Sequence, residues 1–121
     1  MGEHDYELLC KWWRGHGFPC PPLSFLPAAY VLERHAAGFL YAAAPMPVGW
    51  LEWLVTDPDA TPLAAGVSLL TVIRKLESLA QEQGVKWLFT AVSNSGLERV
   101  FVANRWTVGD RNITQLVKCL S

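Results

Sequence analysis

Tyr6, Leu9, Trp12 and Trp13 recur at helical spacing and predict a helix over 5–14, with Asp5 as its cap and Gly15 and Gly17 ending it. Pro19, Pro21, Pro22 and Pro27 exclude a helix or central strand from 18–27 and predict a stiff connecting loop. Two apolar runs, 28–33 and 38–44, flank a turn at 34–37 and read as a hairpin. A third strand, aromatic-rich, is predicted over 49–56 and is stopped by Asp57-Pro58-Asp59. Leu69, Val72, Ile73, Leu76, Leu79 and Ala80 then share one face of a long amphipathic helix, with Gly84 just past its end. The nearly unbroken apolar run 85–92 predicts a central strand covered on both faces. Ser95 followed by Glu98 fits a capping box opening a short helix with Leu97, Val100 and Phe101. Residues 106–109 and 112–120 read as a closing hairpin. The order α, β-β-β, α, β, α, β-β predicts an α+β domain whose mixed, mostly antiparallel sheet is flanked by helices.

Composition narrows this picture. At 121 residues, 51% hydrophobic and 17% charged, the chain suits one packed domain over 1–121. Its net charge of −1 and lack of any basic run argue against nucleic-acid binding through phosphates. No apolar run is long enough to span a bilayer, and the polar start is unlike a signal peptide, so no membrane association is expected. Cys10, Cys20 and Cys119 are odd in number, widely spaced and without a Cys-x-x-Cys pair. Reduced thiols, no metal site and a cytoplasmic location are therefore the expectation.

The segment 56–68 joins a strand to the long helix. Its run Leu63-Ala64-Ala65-Gly66-Val67-Ser68 is mostly small, which lets backbone N–H groups approach a ligand at the positive end of that helix. Such a place suits a pyrophosphate. Here the chain resembles the GCN5-related N-acetyltransferases, whose loop motif is Gln/Arg-x-x-Gly-x-Gly/Ala. Leu63-x-x-Gly66-x-Ser68 keeps the central glycine and a small last residue and departs at Leu63. A second family pattern, Asn-x-x-Ala-x-x-Leu-Tyr-x-x-x-Gly-Phe, keeps its spacing as Asn94-x-x-Leu97-x-x-Val100-Phe101-x-x-x-Arg105-Trp106. The segments holding Trp12-Trp13 and Glu52-Trp53 look most like versions encoded by bacteriophages, which would place the protein in a host cytoplasm.

The resemblance implies a GCN5-related fold and acetyl-CoA as co-substrate, its pantetheine lying along Val55 and Thr56. The diphosphate would sit on the amides from Leu63 to Ser68, and Asn94 beside the pantetheine arm. Phe101 stands at the coenzyme-side position of the family's proton-donating Tyr, and a phenyl ring donates no proton. Ser93 and Tyr41 are candidate substitutes. Glu52 is the candidate general base toward the attacking amine. Placed with Trp50 and Leu54 on one strand face, opposite Leu51, Trp53 and Val55, its pKa should rise on desolvation.

The acceptor would be an amine-bearing small molecule or protein, and a homodimer is compatible with the family's habits. Plainer readings stand beside these. Glu52 suits a solvated or salt-bridged strand carboxylate, and Thr61-Pro62 an ordinary capped helix start. Asn94 suits a turn or cap, His16 and His35 surface loops, and Trp12, Trp13, Trp50 and Trp53 the core. Because Leu63, Phe101 and Arg105 all depart from the motifs, a catalytically degenerate protein that binds another protein on the same fold is the second functional expectation.

Overall fold

The computed structural model describes residues 1–121. The chain falls into two compact units, Met1–Ala91 and Val92–Ser121. The first opens with helix α1 (Glu3–Gly15), whose Leu9, Cys10, Trp12 and Trp13 are buried. Its cap is the backbone of Gly2, not Asp5. The Asp5 carboxylate instead accepts a 2.9 Å hydrogen bond from the Tyr30 hydroxyl, tying α1 to the sheet. Gly17 ends the helix with a φ of 79°, and Phe18 N–H returns to the Trp13 carbonyl.

The proline loop carries one short 3-10 turn, Leu23–Phe25. It folds back along α1 until Cys20 meets Cys10, and the two form a disulfide with Cα atoms 5.1 Å apart. This corrects the expectation of three reduced thiols. The cysteines lie 10 residues apart in sequence, but the reversal after Gly17 makes them neighbours.

Four strands follow: β1 (Tyr30–Leu32), β2 (Ala36–Ala42), β3 (Val48–Thr56) and β4 (Trp87–Phe89). They lie in sequence order across one sheet, and β1–β2 and β2–β3 are antiparallel while β3–β4 is parallel. The mixed, mostly antiparallel sheet is as expected. The hairpin turn sits earlier than predicted, closed by Glu33 N–H to the Ala36 carbonyl at 2.8 Å. β4 differs more. It is a short edge strand with Trp87 and Phe89 exposed, not a covered central one.

Helix α2 (Pro62–Glu82) connects β3 to β4 and buries Leu69, Val72, Ile73, Leu76 and Ala80. It packs on β2 and β3. The opposite face of the sheet receives α1, in a core of Leu9, Trp12, Trp13, Ala37, Phe39 and Val55. One irregularity organises both faces. Ala37 pairs with Val55, but Phe39 pairs with Glu52, so β3 carries an extra residue opposite Gly38. Trp53 absorbs the bulge with a φ of 58°. Gly38 makes the close approach possible: a methyl group there would overlap Leu54 and crowd Leu76 and Val72.

In the second unit, helix α3 (Ser95–Ala103) is capped by Asn94, whose side chain accepts from the Gly96 and Leu97 amides, so Ser95 is its first residue rather than its cap. Phe101 is buried, edge-on to Trp106 with ring centroids 4.8 Å apart. Arg111 reaches Glu98 at 2.9 Å. The expected closing hairpin is absent, and no strand follows Ala103. Ile113, Leu116, Val117 and Leu120 recur at three and four residues, not two, so no strand face collects them. Arg105 and Asn112, with φ of 70° and 57°, also interrupt any extended run.

Candidate active site

In the first unit the sheet has a fork-like step, because β3 runs on to Thr56 while β4 ends at Phe89. β3 and β4 pair at Val48–Trp87, Gly49–Leu88 and Trp50–Phe89, and there the ladder stops. The Thr90 hydroxyl makes one further contact, 2.8 Å to the Leu51 carbonyl. β3 continues to Thr56, and over 52–56 it pairs only with β2. An unpaired strand edge needs solvent or a ligand for its N–H and C=O groups. The Thr56 carbonyl is already engaged, by His16 Nε2 at 2.8 Å.

Glu52 is the residue at the mouth of this fork. Burial pushes its carboxyl above the usual range, as its surroundings predicted. Of the two neighbours expected on its face, Trp50 is there and Leu54 is not. Register places Glu52 beside Phe39 and Trp50 beside Tyr41, all on the α1 face. The bulge then swings Trp53 toward the α1 core and puts Leu54 against Gly38 on the α2 face. The strict alternation predicted for β3 therefore fails at Trp53, because one added residue reverses the facing of those beyond it.

Tyr41 lies close enough to Glu52 for the carboxylate to help raise its pKa, although burial is the larger cause. Its hydroxyl donates to the Phe25 carbonyl at 2.7 Å and accepts from Trp53 Nε1 at 2.8 Å. As a substitute proton donor it is thus committed to the protein. Val55 is buried in the α1 core, so only its backbone faces the fork.

The start of α2 departs most from expectation. The helix begins at Pro62 with Thr61 as cap, whose hydroxyl accepts from Ala64 N–H at 3.2 Å. Ala65 N–H donates to the Thr61 carbonyl at 2.9 Å. Gly66, Val67 and Ser68 lie beyond, where helical amides donate to carbonyls four residues back. Their amides are therefore not available as a diphosphate cradle. Pro62 has no N–H, and the Leu63 amide, in the first turn, has no helical carbonyl four residues back to donate to. The side chain of Leu63 is exposed, and the space beside Gly66 is open.

No protein-family model matches the chain, and no curated protein matches it. Solved structures do. A crystal structure of a Trypanosoma brucei acetyltransferase superposes with a TM-score of 0.65 at 16% identity, over 97% of this chain and 96% of that one. A crystal structure described as a probable acetyltransferase gives 0.63 at 15% identity, over 98% and 91%. The fold is that of acetyltransferases. It bears out the fold that the resemblance implied.

On this acetyltransferase fold Asn94 caps α3 through its side-chain oxygen, with 2.7 Å to Gly96 N–H and 3.2 Å to Leu97 N–H. Phe101 is buried against Trp106. Both motif positions therefore have local structural work in the second unit. Two features escaped the sequence reading. Trp50 is 39% exposed rather than core. His16 pins the end of β3, and its reading as a surface loop residue gave no sign of that. No group of His, Cys, Asp or Glu is arranged to hold a metal ion, and no helix is long and apolar enough to cross a membrane.

Proposed function

We propose that the protein is an N-acyltransferase that moves an acetyl group from acetyl-CoA to a primary amine by direct attack in a ternary complex. The observation that carries this reading is the fork between β3 and β4, with a desolvated carboxylate, Glu52, at its mouth. The acetyltransferase fold supports it. The reading rests on the first unit alone.

The pantetheine arm would lie along the unpaired edge of β3 at 52–56, taking the place of a strand. A backbone N–H on that edge would hold the thioester carbonyl and stabilise the oxyanion formed on attack. Glu52 would take the proton from the ammonium, since a carboxylate with a raised pKa is a better base near neutrality. The amine nitrogen forms the new bond to the acetyl carbon, the carbon–sulfur bond breaks, and the thiolate takes, through water, the second proton that the nitrogen sheds on becoming an amide. A thiol of ordinary pKa, about 8.5, leaves without a strong acid, so the step needs no side-chain proton donor. The diphosphate would find the first turn of α2, at Leu63, rather than Gly66.

The capped start of α2 favours a second reading, a degenerate fold that binds another protein. Calorimetry with acetyl-CoA separates the two. Micromolar binding, followed by thiol release on adding an amine, is the expected result. Absence of binding at millimolar acetyl-CoA ends the transferase reading.

A further inference from the structure

The last paired rung of the β3–β4 ladder is aromatic on both sides. Trp50 and Phe89 are register partners, with ring centroids 6.1 Å apart and planes tilted by 32°. Trp87 stands two residues before Phe89 and so on the same face of β4. These rings are 39%, 51% and 67% exposed, whereas Phe39 on the same side of the sheet is buried beneath α1 together with that helix's Trp12 and Trp13. An exposed cluster of large rings that the helix does not cover marks a place for a ligand.

Glu52 follows directly. It lies two residues beyond Trp50 on the same face, roughly 7 Å along the strand. Its carboxylate has no cationic partner: Glu33 is held by Lys75 and Glu98 by Arg111, and Asp57 faces His35. A half-buried carboxylate left alone beside electron-rich ring faces is complementary to a single cation, both through its charge and through the ring quadrupoles.

We propose that this face binds the acceptor, and that the acceptor is a small primary monoamine carrying an aromatic ring. The ring would lie against Trp50 and Phe89, while the ammonium reaches Glu52 over a short alkyl tether. One carboxylate beside several rings favours one charge and one ring over a polyamine, which would need further carboxylates along its length. Calling this ligand the acceptor rests on the transferase reading. Its binding does not.

The test is titration of the whole protein without coenzyme, followed by amide-resolved NMR, using phenethylamine, phenethyl alcohol and cadaverine. Phenethylamine should bind at least about tenfold more tightly than the other two, since each lacks either the charge or the ring. Trp50→Ala should weaken phenethylamine about 2- to 30-fold. Phe89→Ala, on an edge strand and half-exposed, should do the same and guards against a folding defect at Trp50. Equal affinity for phenethylamine and cadaverine, or two folded variants that bind phenethylamine like the parent, would overturn the proposal. Acetyl-CoA binding with transfer to cadaverine but not to phenethylamine overturns it too, while leaving the transferase reading standing. Selective phenethylamine binding without acetyl-CoA binding supports the surface and removes the transferase.

Discussion

Glu52 shows how much one side chain's surroundings decide. Its carboxyl binds its proton more tightly folded than unfolded, so the folded state is penalised wherever the unfolded carboxyl is ionised. The penalty is absent below the ordinary carboxylate pKa. It grows as pH rises toward the raised value and is complete above it. Glu52→Gln should therefore raise the melting temperature at pH 7 by on the order of 1–3 °C, with the difference vanishing near pH 4. If Glu52 is the base, the same variant should lower kcat/KM by about 10²–10⁴-fold and remove the acid limb of the pH–rate profile. A variant less stable than its parent at pH 7 would contradict the desolvated carboxylate. Unchanged turnover would remove Glu52 from the chemistry. The candidate was legible from its place on a strand before a helix, and so was the direction of its pKa. That Leu54 leaves its face was not, because the bulge at Trp53 depends on how β2 and β3 pair, not on local preference.

At the scale of elements, Gly38 and the bulge belong together. The extra residue in β3 pushes Leu54 into the space a Gly38 side chain would need, under Val72 and Leu76 of α2. Gly38→Ala should cost about 1–3 kcal/mol by overpacking, measured by urea denaturation, and should disturb the strand that carries Glu52. A neutral outcome would mean that Leu54 has room to move. At the head of α2, Thr61→Ala should cost about 1 kcal/mol through loss of the cap to Ala64. In acetyl-CoA calorimetry, tighter binding in this variant would show that the cap competes with the diphosphate for the first-turn amides. Thr61 and Pro62 were readable as a helix start, and α2 took that option. A proline of fixed φ behind a good cap starts the helix early, and the small residues that resembled a phosphate loop are then helical.

For the molecule as a whole, the disulfide between Cys10 and Cys20 gives a direct measurement. Without reductant, the unfolded chain should react with one equivalent of maleimide, at Cys119, and with three after reduction. Three reactive thiols before reduction would show that the bond does not form in solution. Composition and spacing argued the other way, since an odd, scattered set of cysteines carries no pairing information. The sequence by itself determined the two amphipathic helices, the meander of three strands and the parallel return, because hydrophobic periodicity and turn residues act locally. It also carried the likeness to the acetyltransferase fold, through the order of elements from α1 to α3. Tertiary structure alone decided the rest: that β4 is an exposed edge, that β3 bulges at Trp53, that Trp50 faces outward beside an unpaired Glu52, and that Cys10 meets Cys20. Each depends on which distant segments share a face or an edge, and residue spacing along the chain does not encode that.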